Sequence, residues 1–376
     1  MARPARRQDL RKLDRNFAAP RPEGDLRWHD IRQFALEGQG WPDSEHPYDR
    51  LPAKAKGVVR GPVWELGHHC AGLCVRFVTD APQIAARWTV RFANLAMDHM
   101  PATGVSGLDL YVRTAGQWRW TGVGRPTSSP TNMFNLVAAM APARRRYMLY
   151  LPLYNGVESV EIGVPHGAFI GSTPPRRGRA ARPICFYGTS ITQGGCASRP
   201  GMVYTSILGR WLDRPTINLG FSGNAQGEPE MASLLAELDP CVYVLDSIAN
   251  MSVEWVRQRI GPMVRTLRVA HRDTPIVLME HPRFQQPPSV SDKRLSWTIA
   301  NAALRKAYKG LLASGVAGLH YVQADDLFGP DGEATVDGIH ATDVGFLRIA
   351  RALEPVLRRL VWPGRSRPHF VKERAS

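Results

Sequence analysis

Residues 171–183, with the sequence GSTPPRRGRAARP, separate two parts of this chain that have different apolar patterns. Before this stretch, turn signals separate short runs rich in alternating apolar residues, and their spacing predicts about eight β-strands. After it, continuous apolar runs alternate with helical segments, which predicts a parallel sheet with helices on both faces. We therefore expect a β-sandwich, of jelly-roll type, followed by an α/β domain.

These patterns predict five segments along the chain. A linker joins the β-sandwich domain to the α/β domain, and a basic tail lies at each end. In chain order, the predicted bounds are 1–24 for the first tail, 25–172 for the β-sandwich domain, 173–183 for the linker, 184–362 for the α/β domain and 363–376 for the second tail.

No apolar run of this sequence approaches the roughly 18 residues that a helix needs to cross a bilayer. The first residues, MARPARRQDLRKLDRN, are basic, but no apolar segment of the signal-peptide type follows them. We therefore expect a cytoplasmic protein without a membrane partner.

The five cysteines form no C-x-x-C pair and are odd in number, which favours reduced thiols over disulfide bonds. Residues 68–74 read HHCAGLC, a cluster that could bind zinc. However, no second half follows at zinc-finger spacing, and LCVRFVT continues as a strand. We expect no metal and no organic cofactor.

The net charge of +15 requires a nucleic-acid partner to be considered. The arginines concentrate in the two ends of the chain, in the linker and at Arg144–Arg146, and no helix-turn-helix, RRM, KH or zinc-finger pattern accompanies them. This distribution favours solvated basic segments, so no specific nucleic-acid partner is expected.

Residues 186–195 read FYGTSITQGG and place Ser190 at the end of the first buried strand of the α/β domain. Ligands of parallel sheets bind at the carboxyl ends of the strands, so this is a position to search for chemistry. The segment lacks the lysine of a P-loop and the second glycine of a G-x-S-x-G elbow. Taken alone, a serine in a turn is more often a local hydrogen bonder than a nucleophile.

A possible partner for Ser190 lies near the C-terminus, where VDGIH places Asp337 three residues before His340. On a tight turn this spacing lets the carboxylate reach the Nδ1–H of the imidazole and leaves Nε2 free to take a proton from a serine hydroxyl. By itself the D-x-x-H pattern is also typical of a capping motif with a surface histidine.

Two further strand ends carry groups that could hold a developing oxyanion. NLGFSGNA ends the second strand with Gly220 and Gly223, and VLDSIANM ends the third strand with Asn250. Tight turns and a helix cap are the structural alternatives for these residues.

Together these segments resemble the conserved blocks of the GDSL, or SGNH, hydrolase superfamily. GTSITQG is similar to its first block, and the later segments match the second, third and fifth blocks in order. DSIANM resembles the third block of a subgroup that also carries an N-terminal β-domain with a G-x-D-L-Y signature, found here as GLDLY at 107–111.

The resemblance implies a three-layer, flavodoxin-like SGNH hydrolase domain and a role for each matching residue. Ser190 would be the nucleophile, His340 the general acid/base and Asp337 its orienting partner. The oxyanion hole would use the backbone N–H groups of Ser190 and Gly223 and the side chain of Asn250. Asn224 and Asn218 remain alternatives for that side-chain donor.

Other strand-end residues are candidate substrate contacts. His281 and Arg283 follow the fourth strand in MEHPRF, where substrate contact and a structural loop are both open. Asp246 ends the third strand and could contact substrate or brace the loop of Asn250. No role is predicted for Asp98 and His99, which lie in a long connection of the β-domain.

The predicted function is that of a serine esterase. It would hydrolyse a short-chain acyl ester, such as an acetyl ester, of a carbohydrate or similar polar alcohol through an acyl-enzyme. The alternatives are a lipase- or thioesterase-type acylhydrolase and a catalytically inactive glycan-binding protein. The expected partner is therefore a small-molecule or glycan ester, and no oligomeric state is predicted.

Overall fold

The computed structural model describes residues 13–14, 24–285, 293–325 and 327–362. Almost all of the two predicted basic tails, 1–24 and 363–376, lies outside the described residues. No helix in the described part of the chain is both long enough and apolar enough to span a membrane.

The N-terminal half contains two antiparallel sheets, with strand orders β1-β9-β4-β7 and β10-β3-β8-β5-β6, and β2 pairs with β3. Side chains from both sheets share one core, which includes Phe77 and Leu149 of one sheet and Trp88 and Ile162 of the other. The strands are β1 (Leu26–Asp30), β2 (Ala35–Glu37), β3 (Cys74–Thr79), β4 (Ile84–Val90), β5 (Leu108–Thr114), β6 (Gln117–Gly124), β7 (Thr131–Val137), β8 (Arg145–Tyr150), β9 (Val157–Pro165) and β10 (Ile170–Ser172).

These antiparallel sheets confirm the predicted β-rich half, while the jelly-roll connectivity and the exact domain bounds stay predictions. The sequence did not predict the role of the segment between β2 and β3. This segment contains helix α1 (Gly61–Gly67), and its Trp41, Leu51 and Trp64 pack in the same core as Tyr187 of the second half. The two halves therefore share a hydrophobic core as well as the chain connection.

The second half has a parallel five-stranded sheet with the order β12-β11-β13-β14-β15. This order corresponds to 2-1-3-4-5, the flavodoxin-like arrangement, and it confirms the predicted α/β architecture. The strands are β11 (Ile184–Gly188), β12 (Thr216–Gly220), β13 (Val242–Asp246), β14 (Ile276–Met279) and β15 (Leu319–Val322).

Every residue of β11 is buried, because successive side chains enter two different cores. Ile184 and Phe186 pack on one face of the sheet, and Cys185 and Tyr187 pack on the other. Helices cover both faces, which gives the three predicted layers. The helices other than α1 are α2 (Ala102–Val105), α3 (Ser190–Gln193), α4 (Tyr204–Leu212), α5 (Pro229–Ala236), α6 (Val253–Ala270), α7 (Lys293–Ala313) and α8 (Asp343–Val361).

The aspartate of the GLDLY segment connects the N-terminal half to the second half. Asp109 is fully buried, and its Oδ2 accepts hydrogen bonds from the Gly201 backbone N–H at 2.8 Å and from Arg199 Nη1 at 2.7 Å. Its Oδ1 accepts from Trp120 Nε1 at 3.0 Å, and the Tyr111 hydroxyl accepts a second hydrogen bond from Arg199 at 2.5 Å. This carboxylate therefore holds the loop that follows α3.

Replacing Asp109 with alanine should destabilise the protein strongly. The substitution leaves the Arg199 guanidinium and the Gly201 N–H without their buried acceptor, and breaking a buried pair in this way costs about 3–5 kcal/mol. The free energy of unfolding can be measured by urea denaturation followed by circular dichroism.

Asp239→Ala is the matched control, because the Asp239 carboxylate is 70% exposed and pairs with Arg182 at the surface. Exposed pairs contribute about 0–1 kcal/mol. Equal losses in the two variants would contradict a special role for Asp109.

Candidate active site

Ser190 begins the short helix α3, directly after strand β11 and one connecting residue. Thr189 caps this helix, because its side-chain oxygen accepts a hydrogen bond from the Ile191 N–H at 3.3 Å. The helix ends at Gly194, whose φ of +116° is readily adopted only by glycine. Ser190 is 7% exposed, so its hydroxyl lies at the floor of the site rather than on the open surface.

The structure brings the predicted serine, histidine and aspartate together. Ser190 Oγ lies 2.9 Å from His340 Nε2, and His340 Nδ1 lies 2.7 Å from Asp337 Oδ2. The second oxygen of Asp337 accepts the backbone N–H groups of Ile339 at 3.0 Å and of His340 at 2.8 Å. One carboxylate thus holds both the turn and the imidazole that the turn carries.

The environment of Asp337 favours its ionised form. Burial acts to raise the pKa of Asp337, but the hydrogen bonds from His340 and Ile339 outweigh it and hold the pKa below its ordinary value. A negative carboxylate facing Nδ1 places the proton on that nitrogen and leaves the lone pair of Nε2 for Ser190.

Tyr154 and Gly195, for which the sequence predicted no role in the site, lie next to Ser190. The Tyr154 hydroxyl, from the N-terminal half, donates to the Ser190 carbonyl oxygen at 3.2 Å. A Cβ at Gly195 would lie 3.0 Å from that hydroxyl and 3.3 Å from His340 Cδ2. Gly195 therefore allows the imidazole to approach closely. Tyr154 lies in a turn, YNGVES, that gave no sequence signal of this contact.

Gln193 is a third missed residue, although it belongs to the GTSITQG segment. It is fully buried, its Oε1 accepts the Ser222 N–H at 3.0 Å, and its Nε2 lies 2.9 Å from His69 Nδ1. This amide therefore fixes the loop that leads to Gly223. His68, the neighbour of His69 in the HHCAGLC segment, also has a structural partner, because its Nδ1 lies 2.9 Å from Asp49 Oδ2.

Asp246 is held by buried partners, and its contact with substrate stays a prediction. Asp246 is 2% exposed, and its Oδ2 accepts hydrogen bonds from Thr192 Oγ1 at 2.9 Å and from the Tyr204 hydroxyl at 3.1 Å. Burial raises the pKa of Asp246 to about 7. Its side chain points beneath α3, where it braces the helix that carries Ser190.

His281 is also buried, and its contact with substrate stays a prediction. His281 is 1% exposed, and its ring stacks on Trp297 with 4.4 Å between the ring centroids. Its backbone N–H and carbonyl are both bonded to the side chain of Asn301 at 3.0 Å. These contacts give His281 a structural role in the loop after β14.

Arg283 has a different environment from His281. Its side chain is 70% exposed and pairs with Asp325 at 2.6 Å, at a cavity of about 630 Å³ that Trp297 also lines. Within the described residues it makes no hydrogen bond or ion pair with Ser190, Asp337 or His340. Its contact with substrate stays a prediction.

The three candidate asparagines differ in how many hydrogens of the side-chain NH₂ group donate to described residues. Asn218 is buried, and its NH₂ group donates to Thr192 O at 2.7 Å and to Thr205 Oγ1 at 3.1 Å, so both hydrogens are used. The Asn224 side chain donates to the Ser222 carbonyl, and the side-chain and backbone carbonyl oxygens of Asn224 both accept hydrogen bonds from Arg60. These partners hold Asn218 and Asn224 in the scaffold.

Asn250 differs from the other two. Its side-chain oxygen accepts the Ala225 N–H at 3.3 Å, and its NH₂ group makes no hydrogen bond to any described residue. Gly223, two residues before Ala225, has a φ of +70°, and a Cβ there would meet nothing within 4 Å. The backbone at Gly223 therefore borders open space.

Comparisons with known proteins agree with this arrangement. Residues 181–358 match the GDSL-like lipase/acylhydrolase family, and residues 26–170 match the GxDLY family, described as the N-terminus of SGNH hydrolase-type esterases. No curated protein matches the chain significantly.

Three solved structures illustrate the similarity. A protein from Bacteroides ovatus described as a GDSL-like lipase is 32% identical, with a TM-score of 0.84 over 90% of this chain and 98% of its own. A salicylyl-acyltransferase from a tetracycline biosynthetic pathway is 18% identical, with a TM-score of 0.71 over 90% and 99%. A family two carbohydrate esterase from Cellvibrio japonicus is 12% identical, with a TM-score of 0.56 over 90% and 98%.

The buried imidazole of His281 should make stability depend on pH. Burial lowers its pKa to about 4 in the folded protein, against about 6.5 in an unfolded chain. Between these values the unfolded chain binds the proton and the folded protein does not, so stability present above pH 6.5 is lost as the pH falls towards 4. This group alone accounts for roughly 3 kcal/mol.

His281→Phe keeps the stacking surface against Trp297 but removes the proton site. Urea unfolding at several pH values should give a shallower loss of stability for this variant than for the wild type. His166→Gln, at a 61% exposed side chain, is the control and should keep the wild-type slope. An unchanged slope in His281→Phe would contradict the assignment.

Proposed function

The chain belongs to the GDSL-like lipase/acylhydrolase family and is an SGNH-type hydrolase, and from this premise we propose that it hydrolyses short-chain acyl esters through a Ser190–His340–Asp337 triad. The observation that carries the proposal is the continuous hydrogen-bond sequence from Ser190 Oγ to His340 Nε2 at 2.9 Å and from His340 Nδ1 to Asp337 at 2.7 Å.

Acylation begins when Ser190 Oγ attacks the carbonyl carbon of the ester. His340 Nε2 takes the hydroxyl proton as the oxygen–carbon bond forms, and the resulting imidazolium faces the negative Asp337 carboxylate. The same proton then passes to the oxygen of the leaving alcohol. Because Asp337 also accepts two backbone N–H groups, the imidazole keeps its orientation through both transfers.

The negative oxygen of the tetrahedral intermediate requires donors that are already in place. We assign this role to the N–H groups of Ser190 and Gly223 and to the NH₂ group of Asn250. Ser190 is the first residue of α3, so its N–H is not used within the helix. Asn250 is supported by its bond to Ala225, which leaves its NH₂ group available.

Hydrolysis of the acyl-enzyme completes the reaction. Water attacks the acyl carbon, His340 Nε2 accepts the proton from water, and the proton returns to Ser190 Oγ as the carboxylic acid leaves. The residues of the proposed triad thus perform both halves of the reaction by ordinary proton transfer.

The proposed substrate is an acetyl or similarly short acyl ester of a carbohydrate or another polar alcohol. The fold shared with a carbohydrate esterase supports this substrate class. Arg283 is proposed to contact the polar alcohol, because it is exposed beside Trp297 at the cavity described above, and such mixed aromatic and charged surfaces suit sugars.

Ser190→Ala should abolish ester hydrolysis while preserving the fold. Loss of the nucleophile of a triad costs at least about 10⁴-fold in kcat. Initial rates on p-nitrophenyl esters of increasing acyl length and on acetylated sugars measure both the loss and the acyl preference. The wild type should prefer acetyl over long-chain esters.

Ser233→Ala is the matched control, because Ser233 lies on α5 and, among the described residues, its hydroxyl bonds to the Pro229 carbonyl alone. It should keep wild-type rates and wild-type labelling by a fluorophosphonate. Undiminished turnover by Ser190→Ala would remove the proposed mechanism. A wild type that is neither labelled nor active would favour the inactive glycan-binding alternative.

Asn250→Ala should lower kcat by roughly 10²–10³-fold with little change in KM, because its donor is needed chiefly in the transition state. Asn224→Ala is the comparison, since Asn224 is bonded to Arg60 and is expected to affect stability instead. Steady-state kinetics on p-nitrophenyl acetate distinguish the two. A larger fall in kcat for Asn224→Ala than for Asn250→Ala would transfer the oxyanion role to Asn224.

A further inference from the structure

Two side chains outside the proposed triad bring further metal-binding atoms to His340. They are His99, from the connection between β4 and α2, and Cys196, from the loop after α3. The ligand atoms of His99, Cys196 and His340 all lie within 4.8 Å of one another. The rings of His99 and His340 meet edge to face, with 5.6 Å between their centroids.

We propose that His99, Cys196 and His340 form a binding site for a divalent cation of the zinc type, and that an ion bound there reversibly inhibits the enzyme. The binding step stands on these three residues alone. The inhibition rests on the proposed function, because it requires His340 to be the catalytic base.

The donor set selects the kind of cation. Two imidazole nitrogens and one thiolate suit Zn²⁺ and its neighbours in the first transition series, whereas Mg²⁺ and Ca²⁺ prefer oxygen ligands. Three protein ligands leave a fourth tetrahedral position for water.

His340 is already oriented as a metal ligand. Its Nδ1 is occupied by the hydrogen bond to Asp337, so Nε2 is the nitrogen that can bind an ion. A carboxylate on the far side of an imidazole fixes the tautomer and increases the basicity of the ligating nitrogen. The same Nε2 lies 2.9 Å from Ser190 Oγ, so an ion there occupies the lone pair that would accept the serine proton.

Cys196 is held in place by its backbone. It has a φ of +73°, a conformation that is rare for a residue with a side chain, and it is 6% exposed. Binding forms the metal–sulfur bond as the thiol proton leaves to solvent, so the affinity of the site for the cation depends on pH.

The three groups need only a small adjustment to hold an ion. Zinc–nitrogen and zinc–sulfur bonds of about 2.0–2.3 Å place tetrahedral ligand atoms roughly 3.3–3.8 Å apart. The ligand atoms now lie within 4.8 Å of one another, so each pair needs a closure of at most roughly 1.5 Å. His99 is exposed, so rotation of its side chain can supply the closure of the two pairs that include it.

Binding is tested by titrating the full chain with Co²⁺ while the absorption band of thiolate-to-cobalt charge transfer is measured. The wild type should bind one equivalent and show this absorption. Cys196→Ser should lose it. Cys241→Ser should keep it, because Cys241 directly precedes β13 and lies at the amino ends of the strands, whereas Cys196 lies beyond their carboxyl ends. No charge-transfer absorption in the wild type, or its persistence in Cys196→Ser, would overturn the proposal.

His99→Gln tests the exposed ligand and does not depend on the folding of a cysteine variant. It should weaken Co²⁺ binding by at least about tenfold, since even indirect partners of a metal contribute that much. His166→Gln is its control, at another exposed histidine, and should bind as the wild type does. Equal affinity in His99→Gln and the wild type would remove His99 from the site.

Inhibition is measured with Zn²⁺ on p-nitrophenyl acetate hydrolysis. Zn²⁺ should lower the rate of hydrolysis, EDTA should restore the rate, and Cys196→Ser should need at least about tenfold more Zn²⁺ for the same inhibition. Inhibition equal in Cys196→Ser and the wild type would contradict the site. A cobalt charge-transfer band in a protein that hydrolyses no ester would support the site and contradict the proposed function.

Discussion

The 2.7 Å hydrogen bond between Asp337 and His340 Nδ1 is the interaction on which the proposed chemistry depends. The aspartate reaches the imidazole only because its other oxygen closes the turn through the N–H groups of Ile339 and His340. The ring is therefore positioned by local chain geometry before any long-range contact is made. A base held in this way can face Ser190 in one tautomer and one orientation.

Positioning Ser190 requires much more of the molecule. Asp246 holds Thr192 from beneath α3, Gln193 holds the following strand end, and the Tyr154 hydroxyl binds the Ser190 carbonyl from the N-terminal half. Asp109 of the same half binds the loop after α3 at the Gly201 N–H. The β-rich half is thus part of the scaffold of the site, and the G-x-D-L-Y aspartate is one of its points of attachment.

Much of this arrangement could be predicted from the sequence, for physical reasons that also explain the failures. Buried strands alternating with helices predict a parallel sheet, and the carboxyl ends of its strands predict where Ser190 lies. Asp337 and His340 could be paired because their contact is local. A strand-end position does not reveal the direction of a side chain, so the burial of Asp246 and His281 could not be predicted. The approach of His99 to His340 joins distant segments and has no local pattern.

The hydrogen bond to Asp337 that suits His340 to the proposed role of base also suits it to the proposed role of metal ligand, and neighbouring residues determine what can approach its Nε2. Because Gly195 has no Cβ, the His340 ring can approach it closely: a Cβ on Gly195 would lie 3.3 Å from His340 Cδ2. The next residue, Cys196, has a left-handed backbone conformation, and its thiol lies within 4.8 Å of a His340 ring nitrogen. Acceptance of the Ser190 proton and binding of a cation both require the lone pair of His340 Nε2. The transferred proton and the proposed cation therefore exclude one another at this nitrogen.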